Sequence, residues 1–306
     1  MTHPLFLGSE FAQYPIAHAA FHVIPVPYEA TVSYGTGTAS GPAAILEASN
    51  QLEVFDGTST PGEEGIHTYP AVDCTGEAHT VFERIHNAVT AALTVGKERR
   101  GIPVLLGGEH SITTPAVDAL QAHLRNQSPD EPAPIGLIQI DAHADLRDTY
   151  DGSPHSHACI ARRVHGDLKI PLLQIGVRSL SPEEVIYRAA WPAGSDRPIL
   201  HHDAATIVPG QVTAITLPED FPRHAYLTID VDGLDSSIIP ATGTPVPGGL
   251  SWYQTLSILE SLSMQTSIDA FDVVELAPMQ GMHGCNYTAA DLTYRVMGIL
   301  ARSTIR

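Results

Sequence analysis

The pentad Asp141-Ala142-His143-Ala144-Asp145 sets two carboxylates and an imidazole at every second position, directly after the apolar run Ile135-Gly136-Leu137-Ile138-Gln139-Ile140. Carboxylate and neutral imidazole together suit borderline or hard divalent cations. In extended backbone alternate side chains leave on one face, so a strand ending in this pentad aims Asp141, His143 and Asp145 into one crevice. Two other segments are built alike. Ile102-Pro103-Val104-Leu105-Leu106 reads as a short buried strand running into Gly107-Gly108-Glu109-His110-Ser111, where the glycines permit a tight turn that presents His110. Tyr226-Leu227-Thr228-Ile229 reads as another strand and ends in Asp230-Val231-Asp232. Taken singly, a His after two glycines is more often a loop residue, and an Asp-x-Asp after a strand is often a turn or a helix N-cap. Together, His110, Asp141, His143, Asp145, Asp230 and Asp232 exceed the three protein ligands and a water usual in a mononuclear zinc site. They predict a dinuclear metal site.

Strand ends meet in one crevice when the strands are parallel, because open α/β sheets bind ligands outside the carboxyl ends of their strands. Helical stretches at 77–92, 115–125 and 251–262 alternate with the strands, so an α/β chain with crossovers and a mostly parallel central sheet is expected. The 306 residues are 43% hydrophobic and undivided by any linker, and the motif strands spread from residue 102 to 275, so one domain over 1–306 is expected. A formal net charge of −18 argues against a nucleic-acid partner and toward a cationic ligand. The sparse cysteines Cys74, Cys159 and Cys285, in a chain without a signal-peptide or membrane-spanning pattern, point to a cytoplasmic protein with no membrane partner.

Two patterns invite other chemistry. The stretch from Gly35 to Pro42 resembles a phosphate-cradling loop, yet it lacks a Gly-Lys-Ser/Thr ending and carries Pro42, so it reads as a turn leading into a helix over 43–49. Cys159 beside His157 could form a nucleophilic pair. Residues two apart in a helix seldom meet in that geometry, and a buried small residue is the expected fate of Cys159.

The stretches Leu106 to Ser111, Asp141 to Asp148, Ser156-His157-Ala158-Cys159, Thr228 to Asp235, Ala241 to Pro245, Gly248-Gly249-Leu250 and Asp272 to Pro278 resemble, in order and spacing, the ureohydrolases, the family of arginase and agmatinase. The segment Pro27 to Pro42 also resembles agmatinases, so the likeness runs from about Val23 to the end. The resemblance implies a three-layer α/β/α, arginase/deacetylase-like fold holding two manganese ions (Mn2+) per chain. His110, Asp141, Asp145 and Asp230 would hold one ion, and Asp141, His143, Asp230 and Asp232 the other, with Asp141 and Asp230 bridging. A hydroxide bridging the metals would attack the guanidinium carbon of agmatine, giving putrescine and urea. His157 would shuttle protons to the leaving amine, Glu275 would bind the guanidinium, Thr244 would contact the reacting group, and the chain would form trimers or hexamers. His155, two residues before His157, is expected to face solvent or to stand behind the site.

The alternatives are an arginase or a guanidinobutyrase-type ureohydrolase and, more distantly, a zinc deacetylase-like amidohydrolase, which His110 and Asp145 disfavour by completing a second metal site. A non-catalytic relative would be expected to lack His157 or Glu275. Ser236, Val246 and Met282-His283-Gly284-Cys285 depart from the family pattern and are expected near the pocket rim. Arg147 could receive a substrate carboxylate, whereas Asp148, Asp151 and the general acidity oppose one.

Overall fold

Short apolar runs with no polar face are what a parallel sheet requires, because crossover helices cover both of its sides. The computed structural model describes residues 3–95, 101–130 and 133–305. The strands are β1 (Phe21–Val26), β2 (Ile66–Thr68), β3 (Ile102–Gly107), β4 (Ile135–Ile140), β5 (Leu172–Ile175), β6 (Ile199–His202), β7 (His224–Asp230) and β8 (Ser267–Val274). Among the described residues they form one eight-stranded sheet in the order β2-β1-β3-β8-β7-β4-β5-β6. Every pairing is parallel, beyond the mostly parallel sheet expected.

The helices are α1 (Gly41–Ser49), α2 (Ala78–Thr94), α3 (Thr113–Gln127), α4 (Ile160–Gly166), α5 (Pro182–Ala189), α6 (Ala204–Ile207), α7 (Trp252–Ser263) and α8 (His283–Arg302). Strand periodicity sorts them into two layers. Leu227 and Ile229 of β7 pack with Ile45 of α1, Leu259 of α7 and Met297 of α8 on one side of the sheet. Tyr226 packs with Ile85 of α2, Leu120 of α3 and Val164 of α4 on the other, completing three layers. No helix among the described residues is long and apolar enough to cross a membrane.

Element limits differ from the sequence reading where polar residues are hidden. The helix expected over 115–125 starts at Thr113, with Pro115 accommodated in its first turn, where the missing N–H costs no helical hydrogen bond. Strand β8 begins five residues before the Asp272 to Pro278 stretch and carries Ser267, Asp269 and Asp272 as buried polar residues with hydrogen-bond partners.

Candidate metal centre and active site

Four neighbouring strands, β3, β8, β7 and β4, end at one crevice. Beyond β3 lies His110, beyond β4 lie Asp141, His143 and Asp145, β7 ends at Asp230 with Asp232 following, and Glu275 follows β8. His110 Nδ1 stands 3.1 Å from Asp145, 3.3 Å from Asp141 and 3.5 Å from Asp230. His143 Nδ1 lies 3.0 Å from Asp232 and 3.7 Å from Asp141. His110, Asp141 and Asp230 form one group able to hold a metal ion, and Asp141, His143 and Asp232 a second. Asp141 belongs to both.

The electrostatics fit a cation here. Burial would lower the His110 pKa, but Asp141, Asp145 and Asp230 hold it well above the histidine range. Burial likewise opposes protonation of His143, yet Asp141 and Asp232 push it up to about 12. Burial, then the charge of Asp141, raises Asp145 to about 7, and burial, then Asp232 and Asp141, raises Asp230. Carboxylates that must take up protons to coexist are stabilised by a divalent ion that displaces those protons. His110 Nδ1 is buried and makes no hydrogen bond of good geometry among the described residues, so a divalent ion that displaced its proton would find the lone pair uncommitted.

Backbone detail corrects the route by which these side chains converge. Asp141, His143 and Asp145 do not share a face through strand alternation, because β4 ends at Ile140 and Asp145 adopts a left-handed conformation with φ 51°. The Asp141 carboxylate accepts the His143 N–H at 2.6 Å, bending the chain at once. Asp230 similarly accepts the Asp232 N–H at 2.8 Å and caps a 3-10 turn, so the turn reading and the ligand reading hold for one residue. Gly108 does not serve a positive φ. A Cβ there would stand 2.0 Å from the Tyr28 carbonyl oxygen, so close backbone approach fixes the residue type.

Behind the cluster lie partners that the motifs did not reveal. Thr228 donates its hydroxyl proton to Asp272 at 2.6 Å and therefore accepts from His110 Nε2 at 2.8 Å, which directs Nδ1 to the cluster. Asp272 is also held by Tyr226 and Thr113, each at 2.8 Å. On the other side Gln139 donates to Asp141, Gln174 donates to Gln139, and Arg188 donates to Gln174 and to Asp203. The available signal was polarity inside otherwise apolar strands, at Gln139, Gln174, Thr228 and Asp272. Arg178 was also missed; it donates to the carbonyls of Asp232, Leu234 and Val246, tying the loop after β7 into place.

The crevice opens into a cavity of about 270 Å³ that His110, His143, Asp145, Asp230, Asp232 and Glu275 help to line. Glu275 is left-handed at φ 65° and buried, and burial pushes its carboxyl up to about 8 although the His110 N–H opposes the rise. His157, its pKa lowered chiefly by burial, and Thr244 line the same cavity. His155 does not. It is exposed and stands edge-on to Phe82 with ring centroids 5.7 Å apart. Arg147 lines the cavity with its guanidinium 5.1 Å from the Tyr150 ring centre. Asp148 pairs with Arg163 at 2.6 Å, and neither it nor Asp151 is among the described residues that line the cavity. Ser236, Val246 and residues 282–285 are not among the described residues that line the cavity.

The glycine-rich stretch near the N-terminus does gather backbone N–H groups around an anion, and that anion is Glu29. Its carboxylate accepts from Gly37 at 3.0 Å and Ala39 at 2.8 Å, and the turn then enters α1 with Pro42 in its first turn. The helix expected over 43–49 thus begins two residues earlier.

Comparison with known proteins agrees with this geometry. A family model described as the Arginase family matches residues 19–298. The chain is 38% identical over 304 residues to an N(1)-aminopropylagmatine ureohydrolase of Synechocystis sp., covering 97% of this chain and 94% of that one. It is 32% identical over 296 residues to an agmatinase of Pyrococcus horikoshii, covering 94% of each. Among solved structures it resembles an agmatine ureohydrolase of Thermoplasma volcanium, with a TM-score of 0.78 and 26% identity over 98% of this chain and 95% of that one. With its parallel sheet and its paired ligand groups at the strand ends, the chain belongs to the Arginase family and is a ureohydrolase acting on guanidino compounds.

Proposed function

We propose that this protein is a dinuclear, manganese-dependent ureohydrolase of an amine-tailed guanidino compound, agmatine or its N1-aminopropyl derivative, built as one domain over 1–306. In this reading His110, Asp141, Asp145 and Asp230 hold one ion, and Asp141, His143, Asp230 and Asp232 hold the other. Asp141 and Asp230 bridge. The membership of Asp141 in both ligand groups supports the sharing. Two bound divalent ions would supply an activated water at neutral pH and offset the charge that develops during attack.

The chain's own residues supply the remainder. Glu275 carries the reading: it is a buried carboxylate on the cavity with one oxygen fixed by the His110 N–H, while the other accepts no hydrogen bond among the described residues. A planar guanidinium can place paired donors against such a group, which holds its carbon over the cluster. His157 moves a proton between solvent and the leaving amine, a role suited to imidazole near neutrality. Thr244 contacts the reacting group from the loop after β7.

The amine tail is supported by the relatives named for agmatine and aminopropylagmatine. One observation favours a second reading. Arg147 is the single Lys or Arg side chain among the described residues lining the cavity, and it has no carboxylate partner there, so an ω-guanidino acid or arginine would find a cation to pair with. Urea release by the manganese-loaded protein should separate the two, using agmatine, N1-aminopropylagmatine, arginine and 4-guanidinobutyrate. The amine-tailed compounds are expected to exceed arginine in kcat/KM by about 10²-fold or more. Comparable values, or a preference for the acids, would overturn the tail assignment and leave the ureohydrolase chemistry standing.

A further inference from the structure

One buried carboxylate near the cavity is assigned to neither metal nor substrate. Glu109, fully buried, receives the backbone N–H groups of Ala30 at 2.5 Å and Thr31 at 2.6 Å on one oxygen. Its other oxygen receives the hydroxyls of Thr31 at 2.8 Å and Ser111 at 2.6 Å. Four donors thus satisfy a carboxylate that has no cation partner among the described residues, and they pin the loop after β1 to the turn after β3.

The consequence falls on the imidazole next to that loop. Thr31 Oγ1 lies 3.2 Å from His157 Nδ1 and 3.0 Å from the His157 backbone nitrogen. A threonine hydroxyl has one proton to give and two lone pairs to offer. The Glu109 carboxylate accepts from that hydroxyl, so the proton goes to it. Both lone pairs then face His157, one taking its backbone N–H and the other its Nδ1–H.

We propose that Thr31 is a positioning residue that fixes His157 in the Nδ1–H tautomer and leaves Nε2 as the atom that exchanges protons. The proposal rests on His157 being the proton shuttle. Glu109 acts through Thr31 by fixing the direction of its hydroxyl. The neighbouring hydroxyl of Ser156, 3.3 Å from the same Nδ1, is the competing partner: donating to Nδ1, it would select the opposite tautomer. Ser156 Oγ also accepts the Ala158 N–H at 3.4 Å as the cap of the following turn.

The test reads the tautomer directly. Protein labelled with 15N-histidine and loaded with a diamagnetic divalent ion, zinc or magnesium, gives Nδ1 and Nε2 shifts in long-range 1H–15N spectra. The His157 signals are those lost in His157→Asn. The wild-type protein and Ser156→Ala are expected to show Nδ1–H, as is Thr31→Ser, which retains the hydroxyl. Thr31→Val should move His157 toward Nε2–H and, on whichever guanidino compound the protein hydrolyses, lower kcat by roughly 10-fold or more with little change in KM. Thr31→Ser should recover most of that loss. An Nε2–H wild-type pattern, or an Nδ1–H pattern that survives Thr31→Val and disappears in Ser156→Ala, would overturn the proposal. Because the spectra need no substrate, a wrong substrate assignment leaves this result intact.

Discussion

Glu275 accepts the backbone N–H of His110 at 2.6 Å across 165 residues of sequence. The carboxylate proposed to hold the guanidinium and the imidazole proposed to hold a metal therefore have one fixed relationship. In Glu275→Gln the amide oxygen can keep the His110 contact while its NH2 group turns to the substrate, where donor meets donor. Metal content should stay at the wild-type level while kcat/KM falls by roughly 10²-fold or more. Near-wild-type kcat/KM in the metal-loaded variant would remove Glu275 from guanidinium binding.

Metal stoichiometry separates shared from private ligands. Wild-type protein saturated with manganese should approach about two ions per chain, Asp230→Asn should weaken both sites together, and His110→Ala should chiefly empty one. Elemental analysis after titration provides the measurement. Saturation at one ion would sink the dinuclear reading and revive the deacetylase alternative.

The amide chain behind Asp141 makes a separate prediction. Gln139→Leu removes the side-chain donor that orients Asp141, and it breaks the connection through Gln174 to Arg188. Lost orientation of a metal ligand typically costs about 10–100-fold in metal affinity. Calorimetric titration with manganese should show this decrease, and unchanged affinity would mean that β4 and the His143 N–H orient Asp141 without help.

Cys159 is buried, donates to the Ser153 carbonyl at 3.8 Å, and burial pushes its thiol up to about 11. A thiol that remains protonated at neutral pH is a poor nucleophile. Cys159→Ser should retain substantial urea-forming activity, whereas His157→Asn should lose a factor of roughly 10²–10⁴. A folded, metal-replete Cys159→Ser protein without activity would restore the thiolate reading.

Two buried histidines away from the metals make stability depend on pH. His22 and His165 are lowered by burial from 6.5 to about 4, and each hydrogen-bonds a tyrosine hydroxyl, Tyr69 and Tyr187 respectively. Above about pH 6.5 neither the folded nor the unfolded chain protonates them, and their stabilisation is fully present. As pH falls toward about 4 the unfolded chain takes up protons that the folded chain refuses, so stability is lost, on the order of 1–3 kcal/mol per residue. Urea unfolding at pH 7 and pH 5 should show a smaller acid loss for His165→Gln than for the wild type; equal losses would place the acid sensitivity elsewhere.

The sheet, its helices and the residues that gather at its edge were legible because apolar runs and liganding residue types stand side by side in the sequence. What escaped was conformation and direction. Asp145 and Glu275 reach the crevice through left-handed backbone, which no spacing rule for extended strands anticipates. Gln139, Thr228 and Asp272 lie inside strands or motif stretches and carry no role in the sequence reading, whereas each is a buried group whose hydrogen bonds orient a ligand. Asp148 is engaged by Arg163, a contact that its place in the sequence did not show. Side-chain direction beyond a strand end depends on contacts from distant segments, and those contacts are absent from local sequence.

The position of β8 sets the order in which this protein can mature. Though last along the chain, it lies between β3 and β7, hydrogen-bonded to both. During synthesis β3 emerges long before the strand that joins it to β7, and such distant pairing is slow because a long loop must close first. Until β8 docks, the His110 side of the crevice is separated from the Asp141 and Asp230 side. A nascent chain can therefore own every candidate ligand before the His110 group is complete, whereas Asp141, His143 and Asp232 come from β4 and β7, which pair without β8.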